Sequence, residues 1–166
     1  MKLFSSKKLL ISCALMSFSY NSVIAEVSSL EQDLASRHFE KKSSELVSAY
    51  GTEDQVVADL IKLRSVQSPP YVSTRAVKLL LGFSSRADVQ AVLREDVSNE
   101  ATLGLCSVIL SSLSDIQDEA FRLELASSAL SSVSSVRTKE AQTTRSNRIN
   151  AILGGSTDAK VKALVK

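Results

Sequence analysis

Apolar side chains recur along this chain at intervals of three and four residues and almost nowhere in strict alternation. Leu30, Leu34 and His38 fall at i, i+4 and i+8, and Leu46, Val47 and Tyr50 resume the pattern after a break. Val56, Val57, Leu60, Ile61 and Leu63 line the next stripe, followed by Val72, Ala76, Val77, Leu79, Leu80 and Leu81. Val89, Val92 and Leu93 form a shorter one. The stretch from Ala101 to Leu113 is apolar almost all round, which predicts a helix enclosed by its neighbours. Ile116, Ala120, Phe121, Leu125, Ala129 and Leu130 mark a further helix. A polar, basic segment from Arg137 to Asn150 then leads to Ile152 and Leu153, and Val161, Leu164 and Val165 close the chain. This periodicity predicts an all-α protein of about eight helices in which no strand is needed.

Start and stop signals divide the stripes. Ser28-x-x-Glu31, Thr52-x-x-Gln55 and Ser114-x-x-Gln117 read as capping boxes and Ser85-x-x-Asp88 as a looser one, with Ser98 and Ser156 as further N-caps. Ser68-Pro69-Pro70 ends one helix and opens the next, because proline is tolerated in a first turn. Gly82 suits a helix C-terminus, and Gly154-Gly155 a break before a last short helix.

The elements also repeat. Leu46, Val47, Val56, Ala58 and Leu60 match Leu79, Leu80, Val89, Ala91 and Leu93 at a constant offset of 33 residues. A β-branched residue stands four before an alanine in Val72/Ala76, Val97/Ala101 and Ile116/Ala120. Periods in this range, with a helix–turn–helix in each unit, signal stacked helical hairpins. The segments from Pro70 to Leu81 and from Leu93 to Ala101 resemble HEAT-type repeats, in which a proline opens the first helix and a Val-Arg-x-x-Ala element marks a helix start. Ser73 and Ser98 stand here where that family has its arginine. The resemblance spans roughly residues 46–130 and implies a short α-solenoid of antiparallel hairpins that binds another protein or peptide. An irregular helical bundle accounts for the same pattern.

The first 25 residues change the picture most. Lys2, Lys7 and Lys8 precede an apolar run from Leu9 to Phe18, and Val23-Ile24-Ala25 supplies a cleavage site before Glu26. That is the pattern of a secretory signal peptide, which predicts an exported, bacterial periplasmic protein beginning near Glu26. Leu10-Ile11-Ser12-Cys13 offers a second reading as a lipobox with Cys13 lipidated, although little apolar sequence separates Lys8 from Cys13. Removing the segment leaves Cys106 as the one cysteine, which excludes an internal disulfide framework and suits a small buried hydrophobe.

Charge is unevenly distributed. Residues 26–136 hold ten basic and sixteen acidic groups, and residues 137–166 hold seven basic and two acidic. The division is therefore a helical-repeat body over 26–136 and a basic helical segment over 137–166 that packs on or caps it. Arg137, Lys139, Arg145 and Arg148 are the candidate contacts for an anionic partner, with Arg137, Arg145 and Arg148 on one side of a continuous helix and Lys139 displaced from them. Aromatic residues make up only 5% of the chain, too few for base stacking, and nucleic acid is a poor partner for an exported protein.

Catalytic chemistry has little to work with. His38 is the sole histidine, which excludes multi-histidine metal sites; its place on the Leu30–Leu34 stripe predicts a partly buried structural role. No Gly-x-Ser-x-Gly elbow occurs, and Gly154-Gly155-Ser156 lacks the lysine of a phosphate loop. The pairs Glu53-Asp54, Glu95-Asp96 and Asp118-Glu119 lie where acids complement helix dipoles. The expectation is a non-enzymatic protein-binding module with no cofactor or metal. The alternative is an envelope-associated protein held at an anionic membrane or polymer by its basic C-terminal segment.

Overall fold

The computed structural model describes residues 30–65 and 68–165. The signal segment, the Cys13 lipobox and the Ser28 cap fall outside the described residues. The described chain is all-helical, with no strand among these residues. A helical segment α1 covers 30–35. It is followed by α2 (Ser43–Tyr50), α3 (Glu53–Leu63), α4 (Pro70–Leu81), α5 (Ala87–Ser98), α6 (Leu103–Ser111), α7 (Glu119–Ser131), α8 (Lys139–Gly154) and α9 (Ala159–Lys162). Short 3-10 turns at Glu100–Thr102, Leu113–Asp115 and Ser132–Ser135 join several of them.

Thr52 caps α3 as its spacing predicts, its hydroxyl accepting from the Gln55 amide, and Pro70 opens α4. Other starts fall elsewhere. Asp118, not Ser114, caps α7, because residues 113–115 are drawn into a 3-10 turn that buries Leu113 and Ile116. Asp158, not Ser156, caps α9, its carboxylate accepting from the amides of Lys160 and Val161. Ser98 is the last residue of α5, and Asn99 caps the turn that follows. At α5 the cap position belongs to Arg86, one residue beyond Ser85, with no side-chain cap.

His38 also departs from expectation. Helix α1 ends at residue 35, so the stripe is broken before it reaches the histidine, which is exposed in the turn beyond. Phe39 packs against the core instead.

The core is a continuous cluster running from Leu30 to Val161, built from Leu, Val, Ile and Ala with Phe83 and Phe121. At its centre lies α6, which contacts α4, α5, α7 and α8, as its nearly all-round apolarity predicts. The principal helix contacts join elements one or two apart in the chain. One series runs α3–α5–α7–α9, another α4–α6–α8, and cross-contacts link α3 to α4, α5 to α6 and α7 to α8. The pairs at offset 33 sit in matching surroundings at four positions: Leu46 and Leu79, Val56 and Val89, and Leu60 and Leu93 are buried, and Ala58 and Ala91 are exposed.

Helices α2 and α4 approach closely where Gly82 leaves room for Ser43, whose hydroxyl donates to the Leu79 carbonyl at 2.8 Å. A Cβ at position 82 would collide with the Ser43 side chain. Gly82→Ala should therefore push α2 away and lower stability by roughly 1–3 kcal/mol in urea unfolding. Adding Ser43→Gly should recover most of that loss, which a purely conformational effect at residue 82 would not allow.

Candidate binding face

The four basic candidates do not form one surface. Arg137 is exposed but lies in the connection before α8, and Lys139 is exposed at the first position of that helix. Arg148 is exposed, with its Nε donating to the Ser107 hydroxyl on α6 at 2.6 Å. Arg145 is only 2% exposed. Its guanidinium donates to the Ser132 hydroxyl at 2.9 Å, the Asn99 carbonyl at 3.1 Å and the Val97 carbonyl at 2.7 Å. The last carbonyls of α5 have no helical partner of their own, and Arg145 supplies their donors. The expectation that Arg137, Arg145 and Arg148 share one exposed helical side is thus corrected. Arg145 lies four and eight residues before Ile149 and Leu153, both buried, so its inward direction was present in the spacing.

Two further arginines do similar work. Arg75 on α4 donates to the carbonyls of Leu34 and Ser36 just where α1 ends. Arg122 on α7 donates to the Ile116 carbonyl at 2.6 Å and the Gln117 carbonyl at 3.2 Å, and also reaches Asp158 at 3.2 Å.

Most remaining ion pairs lie along the α3–α5–α7–α9 series. Arg86 meets Glu53 at 3.1 Å, Asp54 at 2.6 Å and Asp88 at 2.9 Å. Arg94 forks onto Glu124 at 2.5 and 3.0 Å and lies over the Phe121 ring. Lys160 meets Glu119 at 2.5 Å. Within the interior, Arg64 pairs with Asp96 at 2.5 Å and with the exposed Glu95 at 2.8 Å. Asp96 is fully buried, and its Oδ2 finds no partner among the described residues. Burial pushes its carboxyl up to about 6, against the pull of the Arg64 charge and with a smaller push from Glu95.

Charge is consequently sorted between the two series. Helices α3, α5 and α7 carry eight acidic and three basic residues, whereas α4, α6 and α8 carry five basic residues and one acid, Glu140. An open cavity of about 430 Å³ lies between α4, α6 and α8. Its floor is made by Ala101, Gly104 and Val108, its walls include Thr74 and the guanidiniums of Arg64 and Arg148, and no carboxylate lines it. At Gly104 nothing lies within 4 Å of where a Cβ would stand. Tyr71, 52% exposed, is the large hydrophobic side chain left in solvent among the described residues, and it lies on α4 beside the cavity residue Pro70.

The side chains suited to covalent or base chemistry are placed apart from this cavity. Cys106 is buried, and burial raises its thiol. His38 shares a separate cavity with Asp33, Glu40 and Glu45 at the α1–α2 end. There Tyr50 donates to Asp33, holding that carboxyl below its usual range with help from Lys41.

Arg145→Ala should cost about 3 kcal/mol, since it removes three charge-assisted bonds from a buried site, whereas Arg148→Ala should cost less than about 1 kcal/mol. Chemical unfolding of the two variants checks the contrast. Asp96 has a folded pKa of about 6, above its ordinary 3.8, so its contribution to stability is complete at the acid side and is lost as pH rises through about 6. Lowering the pH from about 7.5 to about 4.5 should shift the stability difference between wild type and Asp96→Asn in favour of wild type. A difference that stays flat would contradict the shift. Comparison with known proteins finds no matching family model, no similar curated protein and no similar solved structure.

Proposed function

We propose that this chain is an exported, non-enzymatic protein-binding module, a short stack of antiparallel helical hairpins of HEAT-like type. Its partner, a protein or peptide, docks on the face formed by α4, α6 and α8. The observation that carries the reading is the asymmetry between the two helix series. On one, the charges are largely engaged with one another; on the other, Lys78, Lys139 and Arg148 have no ion-pair partner among the described residues, and Arg148 lines an open cavity. The stacked arrangement is supported by helix contacts that run mainly between elements one or two apart, as expected when each unit touches its neighbours. Burial of Cys106 and the exposed position of His38, in a cavity apart from the α4–α6–α8 face, favour binding over turnover.

Surface anchoring through the basic C-terminal segment has less support, because burial removes Arg145 from the exposed set. Stable attachment to anionic lipid relies on a compact cluster of about four to eight basic side chains.

Photo-cross-linking in the cell envelope separates these readings. A cross-linker at Thr74 or Val108 should enrich one protein strongly, and the same group at the exposed Ala58 or Ala91 on α3 and α5 should not. Recovery of lipid and bulk envelope proteins alone, from all four positions, would overturn the binding-module reading.

A further inference from the structure

We infer that the α4–α6–α8 cavity recognises a short acidic segment of a partner protein, with Arg148 as the principal charged contact; this rests on the binding-module reading above. The first ground is charge complementarity. The cavity lining contains two guanidiniums and several hydroxyls and no carboxylate, and α6, which forms its floor, carries no charge at all. Arg64 is held by Asp96 and Glu95, so its charge is largely answered within the protein. Arg148 is different. Its Nε is fixed by Ser107, which orients the planar group, while the remaining guanidinium nitrogens have no partner among the described residues. A guanidinium positioned in this way presents a fork that fits a carboxylate with two parallel hydrogen bonds.

Shape supplies the second ground. Gly104 and Val108 stand one turn apart on α6, with Ala101 in the 3-10 turn just before it, and their small size sinks the floor between the flanking helices. The recess admits an extended backbone where a Leu or Phe would fill it. Packed helices lie about 8–10 Å apart, so three of them present roughly 20 Å from first axis to last. An extended segment of about six residues covers that distance. Tyr71 stands at the α4 edge as an amphipathic contact for such a segment. Lys78, exposed and on the same helical side as Tyr71 and Thr74, adds a second positive charge further along α4. A flat anionic membrane matches this surface less well, since a recess loses contact with a plane.

Fluorescence anisotropy on the full mature chain tests the assignment with a labelled peptide of alternating Glu and Ala, about eight residues long, and its Lys/Ala counterpart. The acidic peptide should bind and the basic one should not, with affinity falling about tenfold as salt rises from about 0.02 to about 0.3 M. Arg148→Glu and, separately, Lys78→Glu should each weaken binding, Arg148→Glu by about tenfold or more, while Lys62→Glu on α3 should leave it unchanged. Circular dichroism melts of each variant establish that it is folded. Absent binding, or binding indifferent to Arg148→Glu, overturns the inference. So does an Arg148-dependent association with phosphatidylglycerol vesicles in place of the peptide, or an Arg148-dependent dimer in sedimentation, which would assign the face to lipid or to a second copy. If cross-linking at Thr74 captures one protein while the acidic peptide fails to bind, the acidic chemistry is wrong and the binding module stands. If neither occurs, the module itself fails.

Discussion

Every helix ends with backbone carbonyls that its own turns cannot satisfy, and a fold made of many short helices multiplies those ends. Here the demand meets a core of Leu, Val, Ile and Ala, which offers no donors. Guanidinium groups supply them. Arg75 on α4 serves the end of α1 and Arg145 on α8 the end of α5, each reaching across from another helix, while Arg122 turns back from α7 to the carbonyls just before its own helix. Because a guanidinium brings several donors in one plane, a single side chain settles two carbonyls and fixes the angle between the elements that carry them. The placing of α8 over α5 and α6 follows from Arg145 as much as from the apolar contacts of Ile149 and Leu153.

The same residue type plays a different part where the helices of one series meet at the surface. Arg86 and Arg94 answer the acids of α3, α5 and α7 across 33 and 30 residues of chain, Arg86 to Glu53 and Arg94 to Glu124. These exposed pairs add little stability each, and their larger effect is to neutralise one side of the molecule. What is left unneutralised is the α4–α6–α8 side, where the acids are nearly missing from the sequence of those helices. Sorting by helix series, which is invisible in the net charge, gives the molecule its polarity.

Much of the fold was legible in the sequence for a physical reason: apolar periodicity is enforced by burial, and burial covers most of each helix. The enclosed α6, the proline start of α4 and the Thr52 cap follow directly from composition at those positions. Cap identity was less legible. Ser114, Ser156 and Asp118 or Asp158 compete within a few residues, and the choice depends on which turn can also bury Leu113, Ile116 or Val161. His38 was misplaced because a helical stripe says nothing of where the helix stops. The candidate site was legible only as a charge imbalance over residues 137–166. Arg145 looked like surface because charged side chains seldom sit fully inside. The fact that α5 would leave its carbonyls beneath α8 is a tertiary relation between residues 46 and 48 positions apart. The Arg64–Asp96 pair is hidden for the same reason.

Contacts confined mainly to helices one or two steps apart would ordinarily let such a chain come apart piecemeal, its terminal helices opening while the middle held. Arg145 counters this tendency. By tying α8 to the end of α5, it bridges beyond the nearest neighbours and couples the opening of the C-terminal helices to that of the centre. Slow amide exchange should therefore extend into α8 rather than fade toward the end of the chain, and the recess between α4, α6 and α8 keeps its width because α8 cannot loosen independently of the centre.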